Sequence, residues 1–217
     1  MRGFVCFAVL TGLPTFAAAD TLWDQPWDGH SAAAPAQQFT DFLMFTTTQF
    51  DDFVVGADGW TIDHVRIAGV DGGDPGSNQA VKLAFGLAPG FHVQFVTFDG
   101  VEAGGDLHFD LGGCYLAPGT YWISAWVKRP YCPPGWLKPP TLDGGWYGWL
   151  RTTPVTGGEE CFHNPGGAFG YGLCPVPGSV VYDSSADQAF LIEGTIVPEP
   201  AGLLALSLGI VPLLRRR

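Results

Sequence analysis

The sequence predicts an all-β fold, a single β-sandwich or jelly-roll domain, and three observations support this prediction. Glycine and proline are abundant, at 31 and 18 of 217 residues. Short apolar runs alternate with polar residues at the period of two that a half-buried strand requires, and no long stretch has the helical period. Turn signals separate these runs at short intervals, which is typical of sandwiches and jelly rolls.

The individual strands and turns follow from this pattern. Alternating, β-branched or aromatic runs predict strands at residues 60–63, 91–95, 122–127, 179–182 and 189–192. Glycine, proline and aspartate predict breaks at residues 71–76, 88–90, 99–100, 117–119 and 143–145.

The beginning of the chain has the three parts of a secretory signal peptide. Met1 and Arg2 form a short basic region, residues 4–13 are apolar, and residues 17–19 are three alanines that form a cleavage site before Asp20. The sequence therefore predicts a signal peptide over residues 1–19 and an exported body that begins at Asp20.

The end of the chain is a short apolar run, residues 201–214, that stops at Arg215, Arg216 and Arg217. As a helix, this run would span about 21 Å at roughly 1.5 Å per residue, which is short for a bilayer core of about 30 Å. The positive-inside rule keeps the arginines cytoplasmic and leaves the body on the outer side. The alternative is an ordinary buried C-terminal helix, against which the arginine cluster argues.

Pro198, Glu199 and Pro200 precede the apolar run. The order of this motif, an apolar stretch and terminal arginines resembles the PEP-CTERM sorting signal. The resemblance implies recognition by an exosortase-like membrane protease in a Gram-negative bacterium. It also implies a protein tethered to the inner membrane by its tail and then passed to the cell surface or the extracellular space. Residues 20–197 would be the β-sandwich body, and residues 198–217 the sorting tail.

Several phrases of the body also resemble the β-sandwich bodies common among PEP-CTERM proteins. These phrases are residues 22–25, 51–55, 59–62, 116–122 and 187–195. The resemblance implies a secreted module associated with the cell surface or with exopolysaccharide, and no particular activity. Residues 130–177 depart from the pattern.

Removal of both end segments makes the body strongly acidic. Six basic residues then stand against up to 21 acidic ones, a net charge near −15. Such a surface repels polyanions, so the sequence predicts no nucleic-acid partner. It suits a secreted protein and could attract divalent cations.

Four cysteines remain in the body: Cys114, Cys132, Cys161 and Cys174. An even number in an exported chain favours two disulfides, and the absence of a CxxC pair makes a zinc site less favoured. If residues 120–128 form one strand and residues 146–153 return antiparallel to it, Cys161 comes back beside Cys114. A further strand over residues 168–173 would deliver Cys174 to Cys132. We therefore predict Cys114–Cys161 and Cys132–Cys174 pairing.

Aromatic residues are concentrated in residues 130–177, and Trp136, Trp146 and Trp149 are the candidate glycan contacts. Flat aromatic faces with polar neighbours are surfaces on which sugar rings stack. The alternative, which we favour, is that tryptophans such as Trp146 and Trp149 pack inside the sandwich.

Calcium is the one possible cofactor. Asp71, Asp74 and Asn78 lie in a single glycine-rich turn, and carboxylate and amide oxygens suit a hard cation. Asp51 and Asp52 are a further acidic pair. The favoured alternative is turn chemistry, because Asp and Gly are good turn formers.

Catalytic motifs are missing from the sequence. It has no G-x-S-x-G elbow, H-E-x-x-H helix, P-loop or dinucleotide fingerprint. We therefore expect a non-enzymatic, exported protein of the cell surface or extracellular matrix. A carbohydrate-binding module is the alternative, and a glycan-acting hydrolase is a third, less favoured reading.

Overall fold

The computed structural model describes residues 19–72, 78–90, 94–131 and 146–197. More than half of the described residues lie in strands and very few lie in helices, which confirms the prediction of an all-β, sandwich-like fold. The strands are β1 Asp20–Gln25, β2 Ala33–Pro35, β3 Gln37–Phe39, β4 Thr48–Val55, β5 Trp60–Ile67, β6 Gly69–Asp71, β7 Ala80–Gly86, β8 Gln94–Ala103, β9 Asp106–Leu116, β10 Gly119–Arg129, β11 Tyr147–Thr152, β12 Cys161–His163, β13 Val176–Pro177, β14 Asp187–Gln188 and β15 Phe190–Ile196. A 3₁₀ turn covers Leu43–Phe45, and one short helix, α1, covers Gly178–Tyr182.

Two sheets are present in the described residues. The large sheet has the strand order β1-β15-β5-β9-β8-β7-β10-β4-β12-β13, with β3 beside β10. The smaller sheet has the order β14-β11-β2, with β6 also paired to β11. Neighbouring strands are antiparallel apart from the parallel pair of β10 and β3.

The hydrophobic core lies between the inner faces of the two sheets. Phe53 is at its centre, with its ring centroid 5.8–6.4 Å from the rings of five other aromatic residues. From the smaller sheet, β11 contributes Tyr147 and Trp149, both fully buried. Burial alternates along β9, as expected for strands with one face in the core and one in water.

The sandwich has two distinct ends, connected by strand β10. At one end Gly119 pairs with Val55, and the Val197 amide donates a hydrogen bond to the Gly59 carbonyl. At the other end Arg129 pairs with Phe39, beside the 3₁₀ turn. The eleven residues of β10 place these ends about 35 Å apart, at roughly 3.3 Å per residue. We call them the chain-end side and the far side.

Two strand predictions are wrong. Residues 179–182 lie in α1 instead of a strand, and at the start of this helix the Gly178 amide donates to the Glu160 carbonyl at 2.7 Å. Residues 168–173 form turns and bends instead of a strand. The predicted strands at residues 60–63, 122–127 and 189–192 are confirmed within β5, β10 and β15, apart from Ala189, which immediately precedes β15.

Candidate functional sites

A groove of about 710 Å³ lies on the outer face of β5, β8, β9 and β15. Strand register explains how its side chains come together. His64 lies opposite Asp110 on one side and Glu193 on the other, and Arg66 lies opposite His108 and Leu191. These outward-facing residues alternate with core residues along the same strands.

The polar side chains of this groove have few partners within the described part of the protein. Arg66 makes one long ion pair, with Nε 3.9 Å from Asp106 Oδ2. Lys82 forms an ion pair with Asp99 at the rim. Imidazole, guanidinium and carboxylate groups in an open groove can hydrogen-bond a polar ligand, but no three acidic, His or Cys side chains among the described residues are arranged to hold a metal.

A second surface lies at the far side and is apolar. We call it the aromatic patch and define it as Phe42, Leu43, Met44, Phe45, Tyr131 and Phe169. Three consecutive side chains, Phe42, Leu43 and Met44, are 45%, 61% and 49% exposed. A cleft of about 360 Å³ opens beside them, lined on its other wall by Pro165 and Gly166. Consecutive exposed apolar residues are common at interaction surfaces.

Ring contacts hold the aromatic patch together. The Tyr131 ring stacks on Phe45 with a centroid separation of 5.1 Å and lies 5.2 Å from Phe42. The Phe169 ring lies edge-on to Phe45 at 6.0 Å. These contacts join the 3₁₀ turn, the end of β10 and the segment after β12 into one surface.

Buried polar contacts fix the 3₁₀ turn against the same segment. Asn164 Nδ2 donates to the Met44 carbonyl at 2.9 Å and to the Thr46 carbonyl at 2.6 Å. Gly166 permits this close approach, because a Cβ at that position would lie 2.1 Å from the Met44 Cα. The cleft is therefore built from segments that are hydrogen-bonded and closely packed.

The predicted glycan contacts do not form an exposed pair. Trp149 is fully buried, and its Nε1 donates to the Ala189 carbonyl at 2.8 Å, so the prediction that it contacts glycan is wrong. Its core alternative is confirmed. Trp146 is half-buried over Gly72, and Trp136 lies outside the described residues. Aromatic spacing in the sequence could not distinguish a core position on β11 from a loop surface.

The predicted calcium ligands are used differently. Asp71 accepts hydrogen bonds from Arg129 at 3.2 and 2.6 Å, and Asn78 Oδ1 accepts another at 2.6 Å. The side chains of Asp71 and Arg129 are almost completely buried. The guanidinium thus lies beside two of the three residues at which the sequence suggested a cation, and calcium binding there stays a prediction. Asp74 lies outside the described residues.

The predicted Cys114–Cys161 disulfide is also wrong, because both residues are free thiols. The assumed hairpin does not form: β11 pairs with β2, β6 and β14, not with β10. Cys114 therefore lies on β9 beside β5, and Cys161 on β12 beside β4. Cys174 is a free thiol as well, while its predicted partner Cys132 lies outside the described residues. Burial raises the pKa of the Cys161 thiol to about 12.

A third feature is a buried cluster of acidic groups between the two sheets. Asp51 and Asp52 come from β4, Asp187 from β14, and Glu160 from the segment before β12. Arg151 of β11 is the basic residue among them, with Nε 2.6 Å from Glu160 Oε1. Asp51 Oδ2 accepts hydrogen bonds from Gln25 Nε2 and from the Gln188 amide.

Burial governs the titration of this cluster. Desolvation raises the pKa of Asp51 well above its usual value, and the Asp187 charge raises it further. Desolvation raises the pKa of Asp187 to about 6 and that of Glu160 to about 7, the latter despite the opposing effect of Arg151. The sequence showed Asp51 and Asp52 only as an acidic pair and gave no sign of their burial.

Comparisons with known proteins assign no family to the chain. No family model matches it, and no curated protein matches it significantly. Within the described residues, no helix is long and apolar enough to cross a membrane. The sorting residues Pro198, Glu199, Pro200, Arg215, Arg216 and Arg217 lie outside the described residues, so the sorting signal stays a prediction.

Proposed function

We propose that this chain is an exported, non-enzymatic protein of the cell surface or extracellular matrix. Its partner during export is an exosortase-like membrane protease that acts on the C-terminal tail. The tail holds the body at the outer side of the inner membrane until it is processed.

The observation that carries this proposal is the position of the two ends of the body. Strand β1 begins at Asp20, the predicted mature N-terminus, and β15 ends at Ile196, just before the predicted tail. The two strands are antiparallel neighbours, with Asp20 opposite Gly194. Cleavage on either side would therefore leave every described strand intact.

Intact mass and terminal sequencing of the protein from its native host test this proposal. We expect a body that begins at Asp20 and lacks the C-terminal apolar run. Replacing Arg215, Arg216 and Arg217 with glutamine should reduce membrane retention and processing severalfold, because the positive-inside signal is lost. The exposed Arg66→Gln change in the body is the matched control. An unchanged C-terminus in the membrane fraction would contradict processing, and unaltered release of the triple variant would contradict the sorting role.

A second candidate function is glycan binding, which the aromatic patch favours. The patch lies at the far side, about 35 Å from Val197, counted along β10 at roughly 3.3 Å per residue. A body tethered at the chain-end side would present this surface away from the membrane. Its rings offer stacking area, and the neighbouring Gln38 and Thr46 offer hydrogen-bonding groups at the cleft.

Binding to isolated host exopolysaccharide tests this second candidate. The double change Phe42→Ser and Phe169→Ser should weaken retention roughly thirtyfold, since two lost ring contacts contribute on the order of 1 kcal/mol each. Leu87→Ser is the matched control, because Leu87 is 69% exposed and lies outside the patch. Equal retention of both variants would exclude the patch as the glycan site.

A further inference from the structure

One segment, residues 153–160, lies over the buried acidic cluster. What we infer from this arrangement does not depend on the proposed function. The segment packs over Asp52 and Asp187. Its Thr156 amide donates to Asp187 Oδ2, and its Gly158 amide donates to Asp52 Oδ1 at 2.8 Å. Gly157 adopts a φ of +95°, and a Cβ there would lie 2.8 Å from Asp52 Oδ2. The segment is therefore attached to the protein through hydrogen bonds to the carboxyl groups of Asp52 and Asp187.

The same segment connects to α1. The Glu160 amide donates to the Ala186 carbonyl at 3.0 Å, and the Gly178 amide donates to the Glu160 carbonyl at 2.7 Å. Ser179 Oγ donates to Glu159 Oε1 at 3.0 Å. The cluster is thus connected through hydrogen bonds to both the segment and the short helix.

Two buried oxygen atoms in the cluster have no hydrogen-bond partner: Asp187 Oδ1 and Gln188 Oε1. Both residues are completely buried. A buried carboxylate oxygen without a donor is unfavourable, whereas a protonated carboxyl group carries no charge and supplies a donor of its own. Gln188 Nε2 lies 3.1 Å from Glu160 Oε2. Because amide oxygen and nitrogen can be exchanged by a flip, a protonated Glu160 could donate to Gln188 instead.

We propose that the cluster is a proton-loaded latch: protonated carboxyl groups of Asp51, Asp187 and Glu160 hold the 153–160 segment and α1 closed, and loss of these protons at higher pH opens them. The species that binds to the cluster and dissociates from it is the proton. Arg151 balances one negative charge, so further ionisation places like charges together in a buried space.

The groups that face the cluster come from every element packed around it. They are Asp51 and Asp52 of β4, Arg151 of β11, Glu159 and Glu160 of the segment, Cys161 of β12, Tyr182 of α1 and Asp187 of β14. Burial raises the pKa of each of the four carboxyl groups Asp51, Asp52, Glu160 and Asp187. Burial also raises the pKa of Tyr182 and Cys161, which therefore stay neutral across the relevant range.

The sign of the pH effect follows from linkage. A carboxyl group whose pKa is higher in the closed state than in the open state stabilises the closed state when it is protonated. This stabilisation is fully present when the pH is below the open-state pKa. That stabilisation is lost as the pH rises through the closed-state pKa. For Asp187 the interval runs from 3.8 to about 6, and for Glu160 from 4.5 to about 7. Opening should therefore increase between pH 4 and pH 7.

Amide hydrogen exchange of Thr156 and Gly158 in the full chain tests the latch. After correction for intrinsic exchange, we expect their protection factors to fall at least tenfold from pH 5 to pH 8, since one pKa unit corresponds to a factor of ten. The amide of Ile123, in the core of β10, is the internal reference and should change less. Constant or rising protection at Thr156 and Gly158 would overturn the proposal.

Two variants distinguish opening of the latch from a general effect of pH on amide protection. Asp187→Asn mimics the protonated group and should retain high protection at pH 8, whereas Asp99→Asn, at an exposed ion pair, should follow the unaltered protein. If Asp187→Asn does not fold, Glu160→Gln provides the same comparison. Protection at pH 8 that is restored by added calcium, with no effect of pH in its presence, would assign the cluster to a cation and overturn the proton latch.

Discussion

Replacing Trp149 with alanine should lower the free energy of unfolding by about 3–5 kcal/mol, the range found for the loss of large buried aromatic side chains. The side chain is fully buried on β11, and its ring lies edge-on to Phe190 at a centroid distance of 6.1 Å. The substitution also leaves the Ala189 carbonyl without its Nε1 donor. Urea unfolding followed by circular dichroism measures the change.

Trp27→Ala is the matched control for this prediction. Trp27 is 46% exposed, and its Nε1 donates to the Ser31 carbonyl near the surface. We expect a loss of about 1 kcal/mol or less, as for most surface substitutions. Similar losses in the two variants would contradict the core position of Trp149.

Arg129→Met should destabilise the protein by about 3–5 kcal/mol, because it leaves a buried negative charge without its partner. Asp71 and Asn78 would lose three hydrogen bonds from the guanidinium. The double variant Arg129→Met with Asp71→Leu should recover part of this loss, since the unpaired carboxylate is also removed. The free energy of unfolding at pH 7 is the measurement.

Lys82→Met provides the comparison at the surface. Lys82 pairs with Asp99, which is largely exposed, and exposed ion pairs contribute about 0–1 kcal/mol. If Arg129→Met were no more harmful than Lys82→Met, the Arg129–Asp71 pair would not be a stabilising buried contact. If the double variant were worse than the single one, the charge explanation would fail.

The sequence was informative where a strand has one buried face. In β5, Val65 and Ile67 are buried, and His64 and Arg66 face the solvent. This alternation is visible in the sequence because it results directly from the geometry of a strand. The same pattern could have revealed the outer groove, since His64 and Arg66 are two residues apart, as are His108 and Asp110.

The sequence was uninformative where tertiary pairing decides the outcome. Residues 179–182 have strong β propensity, yet they form α1, because β propensity depends on a neighbouring strand. The disulfide prediction required β11 to pair with β10, and strand partners are not encoded in local patterns. Asp71 resembled a turn residue, but its role is set by Arg129, which lies 58 residues further along the chain.

The pairing of β1 with β15 has a consequence for the order of folding. The first strand, Asp20–Gln25, has Phe190–Ile196 as its partner strand in the large sheet. That partner is almost the last part of the body to be synthesised, and contacts of such long sequence separation form slowly. The N-terminal strand must therefore wait, unpaired, until nearly the whole body has been made. The large sheet of such a chain is completed only after residues 190–196 have been synthesised.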